Sequence, residues 1–286
     1  MSWHEETLHH HVRESLRIDE VIYEGATAFQ QVKLFRNSSM GVVMTLDGII
    51  QTTEADEFIY HEMLVHPPIL AHGAVRRVLV IGGGDGGCIR EVLRHPVERV
   101  VMVELDEGVV TLSRQHLPHH SEGAFEDPRL QLVFDDGAKF VEECDESFDV
   151  IIVDSTDPVG PGLVLFQEPF YADCRRRLGD AGVLVTQNGV PFFQRGEFEM
   201  TGRTRAQLFA HSGFYFVSVP TYFGGAMALG WGSDGTNLAA VAPETIAGRY
   251  AAWRQVPRFY NPAIHQAALA LPNYLRAGGP KAGALT

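Results

Sequence analysis

The chain has 286 residues, 45% of them hydrophobic and 21% charged, with a formal net charge of −13; it is long enough for one large domain or a main domain with a smaller companion. The excess of acid, 36 Asp plus Glu against 23 Lys plus Arg, argues against nucleic acid and anionic membranes as partners and is compatible with a cationic ligand. No run of ~18 apolar residues is present, the N-terminal MSWHEETLHHHVRES lacks a signal-peptide apolar core, and Cys88, Cys144 and Cys174 show no C-x-x-C spacing, so a membrane span, secretion and a disulfide framework are not expected and a cytoplasmic location is.

The first part of the chain is β-rich. Residues 30–35 alternate polar and apolar, as a half-buried strand does. Residues 41–46 and 49–52 flank Asp47-Gly48, a two-residue hairpin signal. Residues 54–70 follow as a helix carrying Tyr60 and His61. From residue 77 the pattern becomes strand alternating with helix. Strands are predicted at 77–81, 99–103, 130–134, 150–154, 182–187 and 214–219, with intervening segments long enough for crossover helices. The expected fold is α/β: a doubly wound, Rossmann-like (methyltransferase-like) parallel sheet over residues 71–286, preceded by a small β domain over residues 1–70. The boundary is placed near residues 71–74. The Gly/Ala-rich tail after Leu275 is expected to fray.

Chemistry concentrates at the predicted strand tips, where open α/β sheets bind their ligands. Val78-Leu79-Val80-Ile81 drops into Gly82-Gly83-Gly84-Asp85-Gly86-Gly87, and the next strand ends in Glu104. That is the first half of a nucleotide-binding βαβ unit, with Glu104 at about the 20-residue spacing at which an acid meets ribose hydroxyls. Asp85 is the unusual member. A loop that cradles a pyrophosphate with backbone N–H groups should not hold a carboxylate at its centre, so a dinucleotide is disfavoured and a ligand with a positive group favoured. Asp136-Gly137 follows the third strand, where Asp136 can accept from an adenine amino group; a simple turn is the plain alternative. Asp154-Ser155-Thr156-Asp157 ends the most apolar strand. One of its two carboxylates can receive a proton while the other holds a remote ammonium. Val159-Gly160-Pro161-Gly162 then suits a lid. One acid at a strand tip is often a helix cap, and Asp106 and Asp135 read that way. A whole rim of acids instead calls for a cation at the centre, because like charges raise one another's pKa.

Leu46-Asp47-Gly48, Gln51-Thr52-Thr53, Asp56-Glu57-Phe58-Ile59-Tyr60-His61-Glu62-Met63, the Gly82–Gly86 loop with Asp85, Asp136-Gly137, Asp154-Ser155-Thr156-Asp157-Pro158 and Pro220-Thr221-Tyr222 together resemble the polyamine aminopropyltransferase family, and within it the bacterial spermidine synthases. The likeness runs from Trp3 to Pro272, nearly the whole chain. It implies transfer of the aminopropyl group of decarboxylated S-adenosylmethionine, a co-substrate rather than a permanently bound cofactor, to putrescine, giving spermidine and methylthioadenosine. It further implies Asp154 as proton acceptor, Asp85 on the aminopropyl ammonium, Glu104 on the ribose, and Asp136 and Gly137 on the adenine, with Gln30 and Pro161 also on the nucleoside. Tyr60, His61, Asp157 and Tyr222 would line the diamine channel with Asp85 and Asp154, and Trp3 would wall it. Some relatives carry Gln where this chain has His61. The small β domain would build a homodimer or homotetramer.

No metal is expected. His9-His10-His11 and His119-His120 lack the i, i+4 spacing with a carboxylate and read as exposed. Arg175-Arg176-Arg177 reads as a solvated helix end, and Phe192, Phe193 and Phe214 to Phe216 as core. Gln187 reads equally as a diamine contact or a backbone partner, and residues 260–265 as structural. The rival activities are aminopropyl transfer to cadaverine, diaminopropane or spermidine; methyl transfer from intact S-adenosylmethionine, whose carboxylate Asp85 would repel; a silent binding homologue; and, weakest, a nicotinamide dehydrogenase.

Overall fold

The computed structural model describes residues 2–6, 8–9, 11–157 and 160–276, without the side chains of residues 160 and 161. Two antiparallel sheets come first. One is the hairpin of β1 (Ser2–Glu6) and β2 (Glu14–Ile18); the other is the meander β3 (Glu20–Ala26), β4 (Gln31–Asn37), β5 (Gly41–Leu46) and β6 (Ile49–Thr53). Asp47 and Gly48 both adopt positive φ at the expected β5–β6 turn, the conformation a two-residue hairpin loop demands. Helix α1 (Glu57–His72) leads into the larger unit: β7 (Arg77–Gly82), α2 (Gly87–Leu93), β8 (Arg99–Glu104), α3 (Glu107–His116), α4 (Pro118–Ser121), β9 (Leu130–Phe134), α5 (Gly137–Glu143), β10 (Phe148–Asp154), α6 (Glu168–Arg177), β11 (Leu178–Gln187), α7 (Arg195–Leu208), β12 (His211–Ser218), β13 (Ala226–Ser233), α8 (Pro243–Trp253) and α9 (Pro262–Ala268).

The large sheet has seven strands in the order β12-β13-β11-β10-β7-β8-β9. The register runs parallel from β11 to β9, while β13 lies antiparallel between β11 and β12. Its central strands read as unbroken apolar runs because both faces are covered. Val78, Val80, Val100, Val150 and Ile152 point into one core with α1 and α2, whereas Leu79, Ile81, Val101, Ile151 and Val153 point into a second core with α5 and α6. Helix α1 buries Tyr60, Met63, Leu64 and Val65 in the first of these cores, so it packs as part of the large sheet's cover.

Two differences from the predicted elements have physical causes, and one residue expected in the core is exposed. Helix α1 begins at Glu57, not residue 54: the Glu54 carboxylate turns back and accepts from Val42 N at 2.7 Å. Strand β13, Ala-Met-Ala-Leu-Gly-Trp-Gly-Ser, is buried almost throughout and has no polar alternation to announce it. Phe192, expected in the core, is 61% exposed. The tail expected to fray lies outside the described residues from 277 onward. Among the described residues no helix is long and apolar enough to cross a membrane.

Candidate active site

A cavity of about 300 Å³ opens at the carboxyl ends of β7, β8 and β10 and is closed on the other side by residues of the small sheets, among them Gln30, Met44 and Gln51. The glycine loop is what lets the sheet edge form this floor. Gly82 pairs with Asp154 in the β7–β10 register and has φ +82°; a Cβ there would lie 2.1 Å from the Asp154 main-chain oxygen. Gly83 N donates to that same oxygen at 2.9 Å. Only glycine meets both demands, positive φ and contact with a neighbouring backbone. The loop thereby sets Asp85 and Asp154 on one rim.

Asp154 is the centre of the arrangement. Its Oδ1 accepts from the Tyr60 hydroxyl at 2.7 Å. Burial pushes its carboxyl up, and Asp85 adds to that; His61 and the Tyr60 bond oppose the shift, leaving it at about 6. Tyr222 stands edge-on to Tyr60, ring centroids 5.8 Å apart at 89°, and donates to Gln51 O at 2.6 Å. Asp85 accepts from Gly87 N at 2.9 Å and faces His61 Nε2 at 3.4 Å. Asp157, raised by burial, accepts from Gln194 Nε2 at 2.7 Å, a bond that opposes the rise.

On the nucleoside side of the expectation, Glu104 is held by a 2.9–3.0 Å class bond: its Oε1 accepts from Asp106 N at 3.0 Å. Burial raises its carboxyl to about 7, with Asp106 and Asp154 adding to the effect against the backbone bonds. Gln30 lines the cavity while donating to Asp106 Oδ2 at 2.9 Å, a carboxylate that also takes the Thr27 hydroxyl at 2.6 Å. Asp106 caps α3 through Gly108 N, and Asp135 accepts from Asp136 N at 2.8 Å. Asp136 does two things: Oδ1 caps α5, accepting from Ala138 N at 2.8 Å and Lys139 N at 3.2 Å, while the residue and Gly137 line the cavity. Pro161 and most of the expected lid lie outside what is described of the side chains.

The structure thus gathers Gln30, Tyr60, His61, Asp85, Glu104, Asp136, Gly137, Asp154, Asp157 and Tyr222 around one cavity. It leaves out Trp3, which is 57% exposed on β1 and is not part of the lining. Glu6 and His9 line the cavity instead. The sequence reads His9 as exposed and does not place Glu6 or Gln194 in the site, because Glu6 ends a strand of the N-terminal hairpin rather than of the parallel sheet and Gln194 stands before a helix with no glycine loop beside it. Gln187 lines the cavity and bonds backbone on both sides, accepting from Gly189 N at 2.6 Å and donating to Ser155 O at 3.4 Å. His120, expected to be exposed, is fully buried and bonded to Thr52 Oγ1 at 2.9 Å; His10 lies outside the described residues. In residues 260–265, the Tyr260 hydroxyl meets His265 Nδ1 at 2.8 Å, and Tyr260 N donates to Glu62 at 2.7 Å.

His61, Asp85 and Asp154 present ligand-type atoms within 4.8 Å of one another. Yet His61 Nδ1 faces Glu57 at 2.6 Å while Nε2 faces Asp85. Burial alone would lower its pKa, but Asp85, Glu57 and Asp154 outweigh burial and hold it at about 9. With both nitrogens carrying protons at neutral pH, the ring donates to carboxylates on both sides. Carboxylates around a rim with one such ring suit an organic ammonium.

Comparison with known proteins agrees over nearly the whole chain. Residues 57–240 match the spermine/spermidine synthase domain and residues 2–54 the spermidine synthase tetramerisation domain. Among curated relatives, a polyamine aminopropyltransferase of Ruegeria sp. (strain TM1040) is 54% identical over 275 residues, 96% of this chain and 97% of that protein. Polyamine aminopropyltransferase 1 of Pseudomonas aeruginosa is 54% identical over 276 residues, 96% of each chain. A crystal structure of spermidine synthase in complex with the transition-state analogue AdoDATO superposes with a TM-score of 0.91 at 37% identity, covering 96% of this chain and 93% of that one. Spermidine synthase from Thermotoga maritima gives 0.88 at 35%, covering 96% and 92%. The chain belongs to the spermine/spermidine synthase family and is an aminopropyltransferase.

Proposed function

We propose that this enzyme transfers the aminopropyl group of decarboxylated S-adenosylmethionine to putrescine, giving spermidine and methylthioadenosine. The observation that carries the proposal is the Tyr60–Asp154 pair, 2.7 Å apart, standing beside Asp85 on one rim with Asp157 in the same cavity. Putrescine is a dication at neutral pH, and an ammonium has no lone pair to give. Asp154, held at about 6, is ionised at pH 7.5 and takes the proton from the inner amine. The freed lone pair attacks the methylene carbon bonded to the sulfonium. The new C–N bond forms as the C–S bond breaks, and its electron pair goes to sulfur, which leaves as a neutral thioether needing no acid. Tyr60 and Tyr222 hold the amine in line, where positioning supplies much of the rate. Asp157 anchors the far ammonium.

For the donor, Asp85 takes the aminopropyl ammonium in a charge-assisted hydrogen bond. Glu104 accepts from the ribose hydroxyls, Asp136 and Gly137 meet the adenine, and Gln30 and Pro161 complete the nucleoside wall. Intact S-adenosylmethionine adds a carboxylate next to Asp85, which opposes binding. We also propose that the small sheets within residues 1–70 assemble a homodimer or homotetramer, which its mass in solution decides, and that the enzyme works in the cytoplasm, in keeping with free Cys88, Cys144 and Cys174.

The test pairs ligand binding with turnover. Decarboxylated S-adenosylmethionine should raise the melting temperature of the protein, and the intact compound should do so far less at equal concentration. Putrescine should give the highest kcat/KM among putrescine, cadaverine, diaminopropane and spermidine. Equal stabilisation by the two sulfonium compounds, or a better acceptor than putrescine, would overturn the donor or the acceptor assignment respectively.

A further inference from the structure

Behind His61 lies a buried charge relay for which the proposed chemistry has no use. Glu57 sits one helical turn earlier on α1, and its Oε2 meets His61 Nδ1 at 2.6 Å. Arg90 of α2 grips both oxygens of Glu57, Nη1 to Oε1 at 3.0 Å and Nη2 to Oε2 at 2.9 Å. Arg90 is itself pinned, donating through Nε to Glu91 at 2.7 Å and through Nη1 to His120 O at 2.6 Å. All three side chains are buried. The first residue of α2 completes the clamp: a Cβ on Gly87 would lie 2.3 Å from His61 Cε1 and Nδ1, so the imidazole packs directly on the helix start.

We propose that Glu57, clamped by Arg90, is a positioning residue for the reaction: it fixes the His61 ring with Nε2 toward Asp85, so that a built-in donor stands beside the two carboxylates that receive the substrate amines. This rests on the aminopropyl-transfer reading of the site. The groups facing His61 are Glu57 and Tyr60 from α1, Asp85 from the loop after β7, His120 from α4 and Asp154 from the end of β10, with Arg90 of α2 behind Glu57. The three carboxylates keep the ring charged well above neutrality, and the charged ring in turn opposes the rise of Asp154. Glu57 therefore acts on Asp154 through His61. Without the Glu57 charge the ring loses its proton at lower pH, Asp154 loses a neighbouring cation, and the proton acceptor fills with its own proton at a pH where it should be empty. A purely structural Glu57–Arg90 pair would stabilise the α1–α2 contact and leave the pH dependence of turnover alone.

The experiment uses Glu57→Gln, which keeps the side chain's shape and can still accept from Arg90. The acidic limb of kcat/KM for the diamine should move up by about one pH unit, the lower end of what a close opposite charge contributes to a carboxyl, with activity recovering toward higher pH. His61→Gln should move the limb in the same direction, and adding Glu57→Gln to it should move the limb no further. Independently of activity, histidine ¹⁵N shifts of the parent should show His61 protonated on both nitrogens at pH 7.5. An unmoved limb with turnover reduced equally at every pH, additive shifts in the double variant, or a neutral His61 in the parent would each overturn the proposal. If the parent fails to transfer an aminopropyl group, it is the function reading that falls, and the ¹⁵N shifts still decide the state of the ring.

Discussion

Asp154 and Asp157 are two carboxylates three positions apart in the sequence, and the proposed roles separate them. Asp154 bonds a tyrosine hydroxyl and Asp157 a glutamine amide. Asp154→Asn keeps shape and hydrogen bonding but cannot take a proton, so turnover should fall by roughly a hundredfold or more, the scale of a lost general base. Nucleoside binding should survive, because Glu104 and Asp136 are untouched. Asp157→Asn should raise the KM for the diamine more than it lowers kcat. Steady-state kinetics of both variants at saturating donor is the check; near-parent turnover in Asp154→Asn would reverse the assignment. The sequence made these acids legible because Asp154 closes an apolar strand and Asp157 follows it three residues on, and strand tips are where such sheets bind. Tyr60 and Tyr222 carry no such mark. They sit on a helix and in a loop and meet only through the tertiary fold, so family resemblance alone placed them. Glu57 and Arg90 were less visible still, for a Glu and an Arg on two helices look like solvated surface until burial is known.

At the scale of elements, the parallel strands were readable because burial on both faces makes them continuous apolar runs. The antiparallel β13 is equally apolar but is cut by Gly230 and Gly232, and glycine in a run reads as a break. Strands β1 to β3 are mostly exposed, and the one that alternates, β2, is only five residues long. The small and large units are held together by side chains that bridge them. Asp56 takes the Thr53 hydroxyl at 2.7 Å and Thr221 N at 2.8 Å, tying the end of β6 to the loop that carries Tyr222. Gln30 and Thr27 both reach Asp106. The β7–α2 turn depends on backbone shape more than on side chains. Gly82→Ala should therefore destabilise by roughly 1–3 kcal/mol from positive φ alone, and by more once the methyl meets the Asp154 carbonyl. Denaturant unfolding measures the loss, and donor affinity should fall with it. A variant with parent stability would mean that the loop relaxes without cost.

For the whole molecule, part of the acidic excess seen in the composition lies around the cavity and in buried positions. Glu104 is held at about 7 and Glu197 at about 8, both chiefly by burial, and His61 at about 9, where neighbouring carboxylates outweigh burial. All three are raised above their unfolded values, so the folded state binds more protons than the unfolded chain from about pH 7.5 to 9. Stability changes with pH in proportion to the protons bound unfolded minus those bound folded. That difference is negative across this window, so the contribution of these groups falls as pH rises. Histidines pushed the other way by burial, His265 to about 4 and His4, His72, His95 and His120 in the same direction, oppose this near pH 6.5, where an unfolded imidazole is still half protonated, and add little above about pH 7.5. The melting temperature of the ligand-free protein should therefore drop from about pH 7.5 to about pH 9. A bound polyamine or sulfonium donor supplies the cation that the rim lacks, which favours the ionised carboxylates. With saturating methylthioadenosine and spermidine the drop should flatten. Scanning calorimetry across this pH range, with and without the two products, separates the outcomes: a flat profile for the empty protein, or the same slope in both states, would mean that the carboxylates of the cavity are already balanced by the protein itself.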